Sequence, residues 1–282
     1  YYSSQQLQSA CMVIDPFTGE IKAIGGAIGE KDRNFGWNYA TDAHRPAGSS
    51  AKPLASYGPA MDLGLITEST LVDDSPDIQL RGTYWYPRNS GSSYDGIITI
   101  WDALVRSKTT VAAQIIDKLT PSVSFEYLTE RMGFQLVEAD RDYAPLALGQ
   151  FTYGVTVREM AQAYTSFPND GEMTYARSYS LITDSNGNTV LENGMRTSHV
   201  FSVDTARCMT EMLEAAAWYG TGYEVYLGYG KMPVAGKTGT TSDDYDRWFC
   251  GFSPYYVTAD WTCYDSPAPR YYSGYPAAQI WR

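Results

Sequence analysis

A serine and a lysine stand three residues apart in Ser49-Ser50-Ala51-Lys52. On a helix, positions i and i+3 share a face, so the Lys52 amine can lie beside the Ser49 hydroxyl. A serine hydroxyl attacks a carbonyl only when a base takes its proton. A lysine is that base only when burial or a nearby cation lowers its pKa. A second cation is available in Lys237-Thr238-Gly239-Thr240-Thr241, inside a segment patterned like a strand. There the unsubstituted Gly239 lets a substrate backbone lie close. Lys237, Thr238 and Thr240 supply donors for a carboxylate. A third element, Ser107-Lys108-Thr109, follows a helical pattern that carries Trp101 and Leu104. Ser107 is placed to relay a proton between the two lysines. Alone, each element has an ordinary reading: a serine near a lysine, a solvated edge strand, a hydroxyl pair at a helix junction.

Other chemistries have less to work with. The 282 residues contain two histidines, His44 and His199, and four cysteines, Cys11, Cys208, Cys250 and Cys263. No CxxC pair or histidine cluster offers a metal site, and no cofactor is expected. The thiols read as buried apolar side chains, with a Cys250–Cys263 disulfide as the alternative. Lys and Arg number 21 against 32 Asp and Glu, a formal charge of −11. Such a chain has no general affinity for nucleic acid or anionic lipid. No apolar run is long enough to span a membrane. Residue 1 is Tyr and no signal peptide is visible, which reads as a processed piece with any anchor upstream. The 24 tyrosines suggest a wet surface that meets sugar or peptide.

The elements that must position these residues fall into blocks. Residues 10–14 and 20–24 read as a β-hairpin about Thr18-Gly19. Gly48-Ser49-Ser50 reads as a hydroxyl-capped helix start, with Pro53 tolerated in the first turn and a kink near Pro59. Residues 66–98 form a long, turn-rich excursion, the kind more often functional than idle. Apolar spacing predicts helix over 99–120, 122–132, 156–167 and 203–217. Residues 179–183 and 189–191 read as a second hairpin, and 232–241, 247–253 and 256–263 as three strands. Strands, then helices, then strands with one more helix indicate an α+β fold: a mostly antiparallel sheet flanked by helices, plus an all-helical lobe.

Together and in this order, the three elements resemble the transpeptidase domain of penicillin-binding proteins, whose motifs are S-x-x-K, S-x-N and K-T-G. The resemblance covers nearly the whole chain. It takes in the hairpin of residues 10–26 and Arg45-Pro46-Ala47-Gly48-Ser49-Ser50-Ala51-Lys52-Pro53. It continues through Pro87-x-Asn89 with Tyr94-x-Gly96, Leu146-Ala147-Leu148-Gly149 and Met160-Ala161-Gln162-Ala163-Tyr164. Its most specific piece is Gly236-Lys237-Thr238-Gly239-Thr240-Thr241 with Asp246-x-Trp248-Phe249-x-Gly251, which is similar to the class A, bifunctional branch.

The resemblance implies a serine β-lactamase/penicillin-binding transpeptidase fold over 1–282. The sheet lobe would span about 8–48 and 175–282, and the helical lobe about 49–174. The branch's membrane anchor and glycosyltransferase domain would lie upstream. It implies Ser49 as nucleophile toward the D-Ala-D-Ala end of a peptidoglycan stem peptide, Lys52 as base and Ser107 as relay. Lys237, Thr238, Gly239 and Thr240 would line the site of the terminal carboxylate, with Thr109 beside the substrate peptide. Backbone N–H groups of Ser49 and Thr240 would form the oxyanion hole. The expected ligands are stem peptides and β-lactams. The expected place is the extracytoplasmic face of a bacterial membrane, among other cell-wall synthesis proteins.

One departure stands out. Thr109 occupies the Asn position of S-x-N, offering one donor where an amide has two. A lost hydrogen bond to a charged group is worth about 1.5–3 kcal/mol, roughly 10- to 150-fold. A β-lactamase also needs a base for deacylating water, and no Glu-x-x-x-Asn-like element stands at a suitable place. A D,D-carboxypeptidase differs only in the acceptor. A non-catalytic module that docks peptidoglycan or division proteins is the alternative from another class.

Overall fold

The computed structural model describes residues 5–30, 34–241, 244–266, 268 and 274–282. In chain order the strands are β1 (Leu7–Ile14), β2 (Ile21–Gly25), β3 (Leu71–Asp74), β4 (Gly96–Thr99), β5 (Glu172–Thr174), β6 (Leu181–Thr183), β7 (Thr189–Glu192), β8 (Thr197–His199), β9 (Ala235–Thr240), β10 (Arg247–Phe252) and β11 (Val257–Tyr264). The α-helices are α1 (Gly58–Asp62), α2 (Ile100–Val105), α3 (Thr109–Leu119), α4 (Pro121–Glu126), α5 (Tyr143–Leu148), α6 (Val157–Tyr164), α7 (Val203–Trp218) and α8 (Pro276–Trp281).

The main sheet runs β2-β1-β11-β10-β9, every pair antiparallel. Its register explains which face each residue meets, because side chains alternate along a strand. Met12 opposes Ala259, Ala259 opposes Cys250, and Cys250 opposes Lys237. This row is buried against the helices, with Met12, Ala259, Cys250 and Lys237 all fully covered. A lysine at the end of an apolar row is thus carried inside by the alternation of its strand. On the opposite face Phe249 meets Trp281 of α8 edge-on at 5.3 Å between ring centres. The α+β architecture, mainly antiparallel, is the one expected.

The hairpins β1–β2 and β6–β7 and the strands β9, β10 and β11 stand where their alternation puts them. The excursion at 66–98 is less irregular than expected. Its ends pair as β3 and β4, Leu71 opposite Thr99 and Asp74 opposite Gly96, leaving 75–95 as the loop. Four-residue strands containing Asp73-Asp74 carry little strand signal. The helix expected over 99–120 is broken into α2 and α3 about Ser107, whose φ is +59°.

Two expectations are corrected. Neither Ser49 nor Ser50 caps a helix: the turn of residues Gly48–Ala51 is a 3₁₀ turn preceded by Ala47, and no side chain caps it. Instead Ser50 Oγ donates back to the Ala47 carbonyl at 2.7 Å. The chain widens into a π turn over Pro53–Tyr57 before α1, so the pitch changes ahead of Pro59, which sits harmlessly in the first turn of α1. The Cys250–Cys263 disulfide is also ruled out. Cys250 opposes Ala259, four residues along β11 from Cys263, and four residues of strand span about 13 Å, beyond the roughly 7 Å limit for Cα atoms of a bridged pair. Cys11, Cys208 and Cys250 are free thiols.

Candidate active site

The serine turn is held on three sides by backbone and buried side chains. The Tyr164 hydroxyl of α6 donates to the Ser50 carbonyl at 2.7 Å. Trp248 Nε1 of β10 donates to the Pro46 carbonyl at 2.8 Å. Gly149, at φ +63°, closes α5 against the turn, and Gly48 N–H donates to its carbonyl at 3.2 Å. A Cβ on Gly149 would stand 2.2 Å from the Gly48 oxygen, so the position tolerates only glycine.

Strand β9 lies directly against this turn. A Cβ on Gly239 would stand 2.3 Å from the Ala47 oxygen and 2.8 Å from Ser50 Oγ. Gly239 therefore serves the approach of β9 to the serine turn. The space it leaves belongs to the protein's own backbone, which corrects the expectation of a slot for substrate. This approach brings the backbone of Thr240 against Gly48, the residue before Ser49.

Lys52 and Lys237 are both fully buried. Among the described residues neither meets a carboxylate. Lys52 Nζ donates to the Ser107 carbonyl at 2.8 Å and to Thr109 Oγ1 at 3.0 Å. Lys237 Nζ donates to Ser107 Oγ at 2.8 Å and to the Thr238 carbonyl at 3.2 Å. Burial, and then the positive charge of Lys237, push the Lys52 amine well below its ordinary value. Burial alone brings Lys237 down to about 7. These are the two causes that the chemistry of a lysine base requires.

Ser107 sits at the crossing of these bonds in a left-handed conformation that non-glycine residues adopt rarely. What holds it there lies mostly in the excursion. Asn89 Oδ1 accepts from the N–H groups of Thr109 (2.7 Å) and Thr110 (3.2 Å), capping α3 from outside the helix. Asn89 Nδ2 donates to Asp74 Oδ1 at 2.5 Å and to the Ser93 carbonyl at 3.0 Å. Lys108 bridges Asp74 at 2.9 Å and Asp95 at 2.6 Å. Burial opposes the Asp74 charge, but hydrogen bonds from Thr110, Lys108 and Asn89 outweigh it and hold the carboxyl below its usual range.

The cleft above these groups has a volume of about 980 Å³. Ser49, Ser107, Thr109, Thr238 and Thr240 line it, while Lys52 and Lys237 are fully buried behind Ser107, to which both are bonded. Thr238 Oγ1 donates to Thr221 Oγ1 at 2.8 Å. Asp246 explains its own motif: it accepts from Trp261 Nε1 at 2.8 Å and from the Thr241 hydroxyl at 3.3 Å, tying the end of β9 to β11. Of the eight residues singled out in the sequence, five line the cleft, Lys52 and Lys237 lie buried behind them, bonded to Ser107, and Gly239 packs against the serine turn. Sequence reasoning missed Asp74, Thr221 and Tyr275 as members of the site. Asn89 was visible only as part of a motif, without its capping role.

The sequence matches the penicillin binding protein transpeptidase domain over residues 9–282. Penicillin-binding protein 1A of Clostridium acetobutylicum is 37% identical over 286 residues, covering 98% of this chain and 35% of that protein. The chain therefore spans about a third of the length of that relative. The crystal structure of penicillin-binding protein 1A from Haemophilus influenzae superposes with a TM-score of 0.80 at 26% identity, over 92% of this chain and 43% of that one. PonA1 from Mycobacterium tuberculosis in complex with penicillin V has the same fold, with a TM-score of 0.80 at 24% identity over 99% of this chain and 77% of that one.

Proposed function

We propose, because the chain belongs to the penicillin-binding protein transpeptidase family, that it is a serine D,D-transpeptidase that cross-links peptidoglycan stem peptides and is acylated by β-lactams. The observation that carries this reading is the pair of fully buried lysines, without acidic partners among the described residues, meeting across Ser107 in the wall that holds Ser49. Burying two ammonium groups side by side is costly, and lowering a lysine's pKa next to a nucleophile is what that cost achieves.

In this reading neutral Lys52 takes the Ser49 proton as Oγ bonds to the carbonyl carbon between the two terminal D-alanines. The backbone N–H groups of Ser49 and Thr240 hold the oxyanion, supported by the close seating of β9 on the serine turn. The proton passes by way of Ser107 to the departing D-alanine amine, with Lys237 steadying charge on the Ser107 hydroxyl. The acyl-serine then reacts with an amine of a neighbouring stem peptide, which forms the cross-link and frees Ser49. Thr238 and Thr240, which line the cleft, take the terminal carboxylate, and Lys237 contributes charge from below.

Thr109 at the Asn position does not weaken this reading, since its hydroxyl accepts from Lys52 at 3.0 Å. The division into a sheet lobe (8–48, 175–282) and a helical lobe (49–174) belongs to the same proposal, supported by the main sheet falling at the two ends of the chain. So does an extracytoplasmic location. Among the described residues no helix is long and apolar enough to cross a membrane.

Intact-protein mass spectrometry with a penicillin tests the reading. One β-lactam mass should add to the parent and none to Ser49→Ala. No adduct on the folded parent at high drug and long times would overturn it.

A further inference from the structure

We infer that Tyr275 is a specificity-determining residue that competes with the substrate carboxylate for the Thr240 hydroxyl proton, and so sets how tightly the cleft takes carboxylate-bearing ligands. This rests on the transpeptidase reading, in which Thr240 belongs to the carboxylate site.

A tyrosine hydroxyl has one proton to donate, and a carbonyl oxygen only accepts. Tyr275 OH lies 2.5 Å from the Gly239 carbonyl, so the phenol proton goes there. The same phenol oxygen lies 2.9 Å from Thr240 Oγ1. With its proton committed, the phenol accepts and Thr240 donates. In this arrangement the Thr240 hydroxyl turns its proton toward Tyr275 and lone pairs toward the cleft. Lone pairs repel a carboxylate. To bind one, Thr240 must rotate its proton away from Tyr275 and break that bond.

Tyr275 is anchored where it can act in this way. Its N–H donates to Glu224 Oε2 at 3.2 Å. The Arg247 guanidinium lies over its ring at 5.1 Å and bonds the carbonyl of the preceding Gly274. Tyr275 and Arg247 both line the cleft. The phenol thus comes from the segment before α8, far in sequence from the catalytic motifs, and its ring is fixed independently of its hydroxyl.

Tyr275→Phe keeps the ring and its cation contact while releasing Thr240. With benzylpenicillin, the second-order acylation constant of Tyr275→Phe should rise roughly threefold to tenfold, the worth of one neutral hydrogen bond. The saturating acylation rate should stay that of the parent. With the benzylpenicillin methyl ester, which has no carboxylate, the substitution should change nothing. In a Thr240→Val background Tyr275→Phe should also change nothing. An unchanged or lower constant for Tyr275→Phe with benzylpenicillin would overturn the inference, as would an equal gain with the ester. Absence of Ser49-dependent acylation in the parent would instead remove the transpeptidase reading, and this inference with it.

Discussion

Lys52 and Lys237 meet across a single residue: one ammonium donates to the carbonyl of Ser107 and the other to its hydroxyl, each at 2.8 Å. Neither has a carboxylate to neutralise it among the described residues, whereas Lys108, next to Ser107 in sequence, has Asp74 and Asp95. Burial opposes the Lys108 charge, but its two carboxylates hold it above the ordinary value. Three lysines around one serine are thereby tuned in two directions, and only the unpaired two are suited to trade protons.

The electrostatic link between the two buried lysines is measurable as a pH profile. The positive charge of Lys237 helps to depress the Lys52 amine, so Lys237→Met should relieve the repulsion and raise the Lys52 pKa. More alkaline solution is then needed to free the base, and the acid limb of the acylation rate should move to higher pH. An unmoved limb would refute the coupling. Lys52→Ala should slow acylation by roughly 100-fold or more at every pH, the contribution typical of a positioned general base.

Thr109 is predicted to act through its hydroxyl. Thr109→Val leaves Lys52 Nζ with one partner fewer, and acylation should slow by roughly 10- to 150-fold, the range for losing a hydrogen bond to a charged group. Thr109→Asn restores the residue of the S-x-N motif and should leave the rate unchanged or faster. A slower Thr109→Asn would mean that the local design is fitted to the hydroxyl.

Asn89 is predicted to be the keystone of the 107–109 segment. Asn89→Ala uncaps α3 and removes one of the hydrogen bonds to Asp74, which should lower stability by about 1–3 kcal/mol and slow acylation together. Asn89→Asp keeps an acceptor for the two N–H groups but replaces the Nδ2 donor with a second carboxylate facing Asp74 and the Ser93 carbonyl, so its melting temperature should fall further than that of Asn89→Ala. The reverse order in thermal melts would show that shape, and not the amide's donor, matters at this position.

Asp260 offers a test away from the cleft. It is 1% exposed on β11, opposite Cys11 and Phe249, and among the described residues neither of its carboxyl oxygens has a hydrogen-bond partner. Burial pushes its carboxyl well above the ordinary range. The unfolded chain ionises this group from pH ~4 upward while the folded chain keeps it protonated. Stability is therefore lost as pH rises from there to the folded pKa. Asp260→Asn removes that titration. Its melting temperature should match the parent's near pH 4 and exceed it at pH 8, by roughly 2–4 °C for each kcal/mol recovered. Equal melting at both pH values would mean that the carboxyl finds a partner in solution.

Several features of the fold were legible locally. The hairpin of β1 and β2, the trio β9 to β11 and the long helix α7 follow from two-residue and 3.6-residue apolar spacing, which side-chain alternation enforces wherever one face is buried. The break at Ser107 was not legible, because the apolar spacing of α2 and α3 continues across it. The left-handed turn is held by Asn89, eighteen residues earlier, and by Lys237, far later. The same distance hid Tyr275, whose role depends on where the segment before α8 lies against β9.

The sequence by itself determined the chemical parts: Ser49 and Lys52 three residues apart, Ser107, the Lys237-Thr238-Gly239-Thr240 strand, and the need for a lowered lysine pKa. Tertiary structure alone decided how that need is met. Lys237 is carried inward by its register opposite Cys250, Gly239 is spent on seating β9 against the serine turn, and Thr109 takes up a bond to Lys52. The physical reason is that desolvation and charge repulsion act through space over a few ångströms. Lys52 and Lys237 are distant in sequence, and no local spacing encodes their approach; it arises only when β9 closes on the serine turn and excludes water from both.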